Sequence, residues 1–422
     1  MITRDEGSLH VNGVSVWRLA EEYGTPLYIY DEEALRRRAR SLVESMPKPR
    51  FKIYYSVKAN SNPHLLEIIR SEGLGAEAVS PGEVIVALST GWRPGNILFT
   101  GNSLRLEEVL WALRIGVEVN IDSTLMLERI CDVNRDIGIR VNPMLGGGYH
   151  KYTVTGGMHA KFGIGIHEVE KAAELARQCS FRVVRLHAHI GSGIRDPGLY
   201  GEVLEILMSL ASQYFPEAEE FDVGGGFYVP YKPGEKKLDP KTLAETLVRV
   251  AENNIPDARI IVEPGRYIVA ESGILLARIT DVKITPDGIH IIGTDTGMNH
   301  LIRPALYGAY HEAMTVTRRC ERKVEANIVG NICESSDVLA SNRKVCEPRV
   351  GDLVAIFNAG AYGYSMASNY NLRLLPAEIL VSAEGQYTLI RSRQEPSQLV
   401  ENVPLFAERI EHVLNKYGWP LA

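Results

Sequence analysis

From Phe51 to Glu263 the chain alternates between two textures: short β-branched or aromatic runs, and longer stretches whose apolar residues recur at helical spacing. This pattern predicts parallel strands joined by crossover helices. The strand candidates are 51–57, 75–79, 96–100, 117–121, 137–142, 183–190, 220–223 and 259–263. Helical candidates lie between them at 63–72, 81–90, 104–115, 123–134, 167–179, 197–214 and 239–254. The first opens on Pro63 and sets Leu65, Leu66, Ile68 and Ile69 on one side. Proline suits that position because the N–H it lacks would be unpaired there. Eight strand–helix units in about 215 residues fit a closed, TIM-like (β/α)8 barrel, with an open doubly wound sheet as the alternative.

Beyond Arg266 the texture changes. Strand-like runs at 273–284, 289–294, 323–330, 352–358, 377–381 and 387–391 follow one another without long helices, separated by turn signals such as Pro286-Asp287-Gly288. They predict a second, mostly antiparallel β domain, so the fold class is α/β plus β. Residues 8–17 alternate and are expected to add a strand to that domain, and 404–416 reads as a terminal helix. The expected division is a segment 1–25 that joins the β domain, a barrel over 26–268, and the β domain over 269–422.

Composition narrows the class. The 422 residues are 45% hydrophobic and 23% charged, with a formal net charge of -6. No basic arm or arginine-rich helix stands out, which sets aside nucleic acid and anionic membranes as partners. No apolar run has the length of a signal peptide or a spanning helix. The five cysteines, an odd number without a CxxC pair, argue against a disulfide framework and against structural zinc. A reducing cytoplasm follows as the expected setting, with Cys131, Cys179, Cys320 and Cys346 as small buried hydrophobes.

Working residues of a barrel sit at the C-terminal ends of its strands. Lys58, His187 and His189, Gly224–Gly226, and Glu263-Pro264-Gly265-Arg266 all fall there. A lysine closing an apolar strand is partly desolvated, which frees its amine to bond a carbonyl; it could equally snorkel to water. Three glycines after a strand let backbone amides approach a phosphate, or simply make a tight turn. Glu263 could hold a pyridinium N–H, or pair with Arg266 or Arg140. His187 and His189 alternate along their strand and so point to opposite faces, where aromatic-type packing is the plain reading of each. No HExxH pattern and no His, Asp or Glu group of metal spacing occurs, so no metal is expected. In the β domain, Cys333 lies beside acids in a polar loop, Cys333-Glu334-Ser335-Ser336-Asp337, which is not a core position.

These residues resemble the pyridoxal-phosphate-dependent diaminopimelate and ornithine decarboxylases. Tyr54–Asn60 (YYSVKAN) is similar to the cofactor-lysine motif, His187–Ser192 to HxHIGS, Asp222–Phe227 to the glycine-rich phosphate loop, and Glu263–Arg266 to EPGR. Arg303–Tyr307 (RPALY), Cys333–Asp337 (CESSD), Gly360–Gly363 and Met366–Asn371 resemble the diaminopimelate branch. The matches run in order from Gly24 to Glu378 and cover nearly the whole chain. The resemblance implies that Lys58 carries the cofactor, that His189 stacks on its ring, and that Glu263 partners the ring nitrogen. It places Ser192, Gly226, Gly265, Arg266 and Tyr362 at the phosphate. Arg266, Arg303, Tyr307 and Tyr362 would bind substrate, Glu334 its distal ammonium, and Cys333 would donate a proton. The last two would reach the site from the other subunit of a homodimer. Two positions depart from the family pattern: Glu77 stands where aspartate is usual, and His159-Ala160-Lys161 where SKFG begins.

The implied reaction is decarboxylation of meso-2,6-diaminopimelate to L-lysine, the last step of lysine biosynthesis, in the cytoplasm. Ornithine or arginine is the alternative within the enzyme class. Ornithine would leave Arg303 without an anion, and an uncompensated buried charge is costly. A cofactor-carrying barrel without decarboxylase activity is the alternative from another class; the second domain argues against it.

Overall fold

The barrel helices begin where their sequences supply both a cap and a stop. Asn62, Ser80, Asp196 and Asp239 each accept a backbone N–H of the following first turn, and a proline comes directly after each. Such a cap stabilises its helix by about 1 kcal/mol. The computed structural model describes residues 2–5, 7–133, 135–148, 156–157, 160–317, 320–403 and 407–417. It divides into two compact units, one of residues 34–270 and one of residues 1–33 with 271–422.

In the first unit the strands Phe51–Ser56, Gly75–Ala78, Ile97–Phe99, Glu118–Ile121, Asp136–Asn142, Arg182–His187, Glu220–Asp222 and Arg259–Val262 pair in parallel. Ile260 pairs with Phe51 and Asn120 with Gly138, so the sheet closes on itself. This is the (β/α)8 barrel, not the open sheet. The short runs Gly75–Ala78 and Glu118–Ile121 are buried at nearly every position, as strands covered on both faces must be. Gly147–Gly148 forms a two-residue parallel ladder with Gly191–Ser192.

The second unit is built around one long strand, Gly273–Ile284. It pairs antiparallel with His290–Thr294, Leu353–Ile356 and Leu27–Asp31 along its length. Lys323–Val329 and Val338–Cys346 extend one side, Ala377–Val381 and Tyr387–Arg391 the other, and Ala313–Val316 pairs with Leu353–Ile356. Two pairings are parallel, the rest antiparallel. Leu27–Asp31 belongs to this sheet, so residues 26–33 lie with the β unit and outside the barrel boundary read from sequence. Residues 8–17 do not join the large sheet. Ser8–Val11 and Val14–Ser15 form a small sheet with Ile2–Asp5, and Val16–Tyr23 is a helix. Leu9, Val11, Val16 and Leu19 pack with Ile274, Leu276, Leu353 and Ile379 in the unit's core. The terminal helix is described over Ala407–Tyr417; residues 404–406 of the expected helix lie outside the described residues.

The cysteine expectation fails. Cys131 bonds Cys179 and Cys320 bonds Cys346, leaving Cys333 as a free, exposed thiol. The partners sit at the ends of neighbouring elements, 48 and 26 residues apart, a proximity no local spacing reveals. Reduced, buried cysteines are therefore no argument for a reducing compartment. No helix among the described residues is long and apolar enough to cross a membrane.

Candidate active site

The candidate residues form two groups, one at the barrel rim and one in the β unit. At the rim, Lys58 stands in a tight turn, Val57–Ala59, directly after the first strand. Its ammonium is hydrogen-bonded to Glu77, at the end of the next strand, and lies 3.5 Å from the Ser56 hydroxyl. Lys58 is thus held by a buried acid instead of standing alone in apolar surroundings. Burial pushes Glu77 up to about 7, with Lys58 opposing that rise and Glu263 adding to it. The longer side chain at this departure from the family pattern reaches the lysine.

The glycine turn is shaped for close approach. Gly224 and Gly226 have φ of 73° and 85°, where side chains are strained. A Cβ on Gly224 would lie 2.5 Å from His189 Nδ1, and one on Gly226 would collide with the Gly191 carbonyl. The Gly225 N–H donates to His189 Nδ1 at 3.1 Å, which fixes the half-buried imidazole with that nitrogen unprotonated. Desolvation, reinforced by nearby Arg140, lowers His189 to about 3, so the ring stays neutral. A Cβ on Gly265 would sit 2.9 Å from Ser56 Cβ and 3.0 Å from Ala59 Cβ, so glycine there lets Glu263-Pro264-Gly265-Arg266 pack against the lysine turn. Arg266 is buried; its guanidinium donates to the Tyr231 hydroxyl at 3.1 Å and to Ser192 Oγ at 3.4 Å.

Glu263 is 4% exposed. Its Oε2 lies 3.4 Å from His187 Nε2, while Oε1 is buried with no hydrogen-bond partner among the described residues. Burial alone would raise this carboxyl; His187, Lys58 and His189 outweigh it and hold it well below the usual range. Asp222 completes the group: His187, Asp222 and Glu263 bring one ligand-type atom each within 4.8 Å of one another. Sequence reading finds no such cluster and assigns His187 to packing. His187 and Asp222 are register partners on adjacent strands, so the grouping arises only when the strands align. Sequence offers Arg140 only as a rival partner for Glu263; it is buried beside the same acids and stacks over Phe162 at 4.7 Å.

In the β unit, Arg303 opens the short helix Arg303–Tyr307 and is 1% exposed. It donates to His311 Nε2 at 2.8 Å, and His311 Nδ1 donates to the Phe357 carbonyl at 2.8 Å, which orients the imidazole. His311 carries no motif and was missed. Tyr307 is half-buried at the helix end. Cys333 is exposed, and its N–H donates to Asn371 Oδ1 at 2.8 Å. Tyr370 donates its hydroxyl to the Glu334 carboxylate. Asp337 fastens this loop by accepting the N–H groups of Met298 and Ile332 at 2.6 and 2.7 Å. Tyr362 has φ of 55°, a strained conformation of the kind that collects at functional positions. His159 lies outside the described residues.

Comparison with known proteins identifies the family. Residues 32–270 match the family described as pyridoxal-dependent decarboxylase, pyridoxal binding domain. The chain is 39% identical to the diaminopimelate decarboxylase of Methanothermobacter thermautotrophicus, over 95% of this chain and 97% of the relative. It is 37% identical to that of Aquifex aeolicus, over 94% and 96%. Among solved structures, the diaminopimelate decarboxylase of M. jannaschii in complex with L-lysine superposes with a TM-score of 0.89 at 30% identity, covering 96% of this chain and 98% of that one. The Helicobacter pylori enzyme with L-lysine gives 0.85 at 32%, covering 92% and 98%.

Proposed function

The chain belongs to the diaminopimelate decarboxylase family of pyridoxal-dependent enzymes, and from that premise we propose that it removes one carboxyl group of meso-2,6-diaminopimelate as carbon dioxide and releases L-lysine. The observation that carries this reading is the partnerless, buried Oε1 of Glu263 on the same rim as Lys58 and the glycine turn. Those three features fit the three polar ends of pyridoxal phosphate: a ring N–H, an aldehyde and a phosphate. The cofactor supplies an electron sink for the carbanion left when carbon dioxide departs.

The chain's own residues do the rest. Lys58 carries the cofactor covalently. Glu263 would keep a proton on the ring nitrogen, and His189 would face the ring as a neutral imidazole. Gly226, Gly265, Ser192, Arg266 and Tyr362 hold the phosphate. Arg303, Tyr307, Arg266 and Tyr362 bind substrate carboxylate, and Glu334 the distal ammonium. Opposite charges for one distal head suit a second amino-acid group better than a lone amine. Cys333 delivers a proton to the α-carbon.

Cys333 and Glu334 are exposed on this chain. We assign them to the active site of the partner subunit in a homodimer. Lys58→Ala and Cys333→Ala proteins, each inactive alone, should then recover roughly a quarter of wild-type activity when subunits mix at random. We place the protein in the cytoplasm.

Purified protein with cofactor should release carbon dioxide from meso-diaminopimelate and not from ornithine, arginine or lysine, and borohydride should fix the cofactor to Lys58. Release from ornithine instead would overturn the substrate assignment. Bound cofactor with no release from any of them would make the chain a carrier.

A further inference from the structure

Two carboxylates and an imidazole meet under the rim, and only Glu263 has a part in the reading above. Asp222 is fully buried at the end of its strand. Its Oδ1 accepts the Gly224 N–H at 2.8 Å; its Oδ2 is buried with no hydrogen-bond partner among the described residues. The Glu263 carboxylate lies within 4.8 Å, across the parallel pairing of Glu220–Asp222 with Arg259–Val262. Neither strand can withdraw from the other, because Asp222 is locked in register with His187 on one side and Ile261 on the other.

Two adjacent buried carboxylates cannot both ionise. Their surroundings decide which one keeps the proton. Glu263 faces His187 from the sixth strand, on the far side of the seventh, Lys58 from the turn after the first strand, His189 from beyond the sixth, and Arg140 from the fifth. Asp222 faces Glu263 itself, the Gly224 amide, Arg140 from the fifth strand and, from further down, Arg185. Glu77 adds a further acid from the second strand. Lys58 and the shared Arg140 bring positive charge to Glu263, and His187 and His189 stand beside it as neutral rings.

We infer that Asp222 is a positioning residue that stays protonated and donates from Oδ2 to Glu263, leaving Glu263 as a single fixed anion with Oε1 directed to the cofactor's ring nitrogen. This rests on the placement of the ring at Glu263 proposed above. Burial first, and Glu263 second, push Asp222 well above the usual carboxylate range, in the same direction. His187, lowered by burial, remains neutral, with Nε2 3.4 Å from Glu263 Oε2. Asp222 thereby couples the two ends of the cofactor site: one oxygen holds the glycine turn and the other holds the charge at the ring.

The test compares Asp222→Asn with Asp222→Leu in the holoenzyme. Asparagine keeps both hydrogen bonds of a protonated aspartic acid; leucine keeps neither. Isotope-edited infrared spectra of the wild type should show a protonated aspartic carboxyl at neutral pH that vanishes in Asp222→Asn. Asp222→Asn should retain kcat within about threefold, and Asp222→Leu should lose about tenfold to a hundredfold in kcat with a smaller change in KM, the worth of one charge-assisted hydrogen bond. NMR of the labelled ring nitrogen should be the same in wild type and Asp222→Asn and shifted in Asp222→Leu.

An ionised aspartate in the infrared spectrum, or an Asp222→Asn protein as impaired as Asp222→Leu, overturns the inference. So does stoichiometric divalent metal in the purified wild type that is lost with Asp222→Asn, since a cation would then occupy the place of the proton. A ring-nitrogen resonance unmoved by Glu263→Gln refutes the placement of the ring and leaves the infrared result to judge the shared proton separately.

Discussion

The two ends of the barrel bury charge in opposite ways, although the same strands build both. Near the strand starts, Arg185 donates from Nε to Glu220 at 3.0 Å and also bonds Glu118. Lys52 lies 2.6 Å from the other oxygen of Glu220, and Arg259 lies 3.3 Å from it. Burial would lower Arg185 and raise Glu220, yet the partners reverse both shifts and each keeps its charge. Two residues further along those strands stand His187 and Asp222, and the pattern inverts. Acids crowd one another, Asp222 and Glu77 rise, and oxygens on Asp222 and Glu263 go unmatched. A buried network with matched partners resists disruption, whereas unmatched groups invite a ligand. The lower end is built for holding strands together and the upper end for holding something else.

That division can be broken by crossed effects. The largest expected loss is in turnover, from the top. Glu263→Gln removes the anion opposite the ring nitrogen and should cut kcat by about 10³-fold, comparable to the loss of a preorganised electrostatic group. Its effect on the melting temperature should be smaller than that of the Arg185 variant below, because the amide still offers an acceptor to Asp222. Unaltered turnover would remove Glu263 from the chemistry; a collapse in melting temperature would show that the top also holds the strands. Second is Arg185→Ala at the bottom. It leaves Glu220 buried beside Glu118 and should cost about 3–5 kcal/mol, a fall of roughly 10 °C in the melting temperature. Turnover at low temperature should stay within about twofold, since Arg185 forms no part of the rim. A matching loss in kcat would join the two ends into one network.

The sequence made the division only half visible. Strands such as Phe51–Ser56 and Arg182–His187 are read from their apolar runs, and the rim residues from their position at strand ends. Leu27–Asp31 is missed because all five residues are buried, so it shows no alternation. Val338–Cys346 is missed because polar residues fill its centre. Lys58, Glu263 and the glycines stand out because an unusual residue at a strand end needs explaining. Asp222 sits in the same motif, inside the strand candidate 220–223, yet draws no notice, since its meeting with His187 and Glu263 depends on register between strands far apart in the chain. Arg185, Glu118 and Glu220 are hidden for the same reason, and so are the partners of both disulfides.

A third, smaller effect sharpens the contrast through pH. Glu77, at about 7, stands above the 4.5 usual for a glutamate. Its stabilising contribution is complete below about 4.5 and is lost as pH rises through about 7, where a buried charge must form. Glu77→Gln never ionises. In cofactor-free protein the wild type should therefore lose up to about 3 kcal/mol relative to Glu77→Gln between acid and mildly alkaline pH, as read by urea unfolding. Curves that run parallel across that interval would show that Lys58 neutralises Glu77 fully, and the top would then resemble the bottom.

The smallest effect tests how far the lower network reaches. Lys52 completes it with a short contact to Glu220, but its side chain is 32% exposed, so water competes for the same oxygen. Exposed and half-exposed pairs are worth about 1 kcal/mol or less and are screened by salt. Lys52→Met keeps the aliphatic stem against the barrel and removes only the charge. It should lower stability by less than about 1 kcal/mol in dilute buffer, and the difference should shrink at high ionic strength. The Arg185→Ala loss should persist there, because that guanidinium is 3% exposed and beyond the reach of screening ions. In the background of Arg185→Ala, however, Lys52 becomes the nearest cation left to Glu220, so the double variant should lose more than the two single losses added together. Simple additivity would mean that Glu220 is held by Arg185 alone and that the lower end is one ion pair with exposed neighbours, not a network.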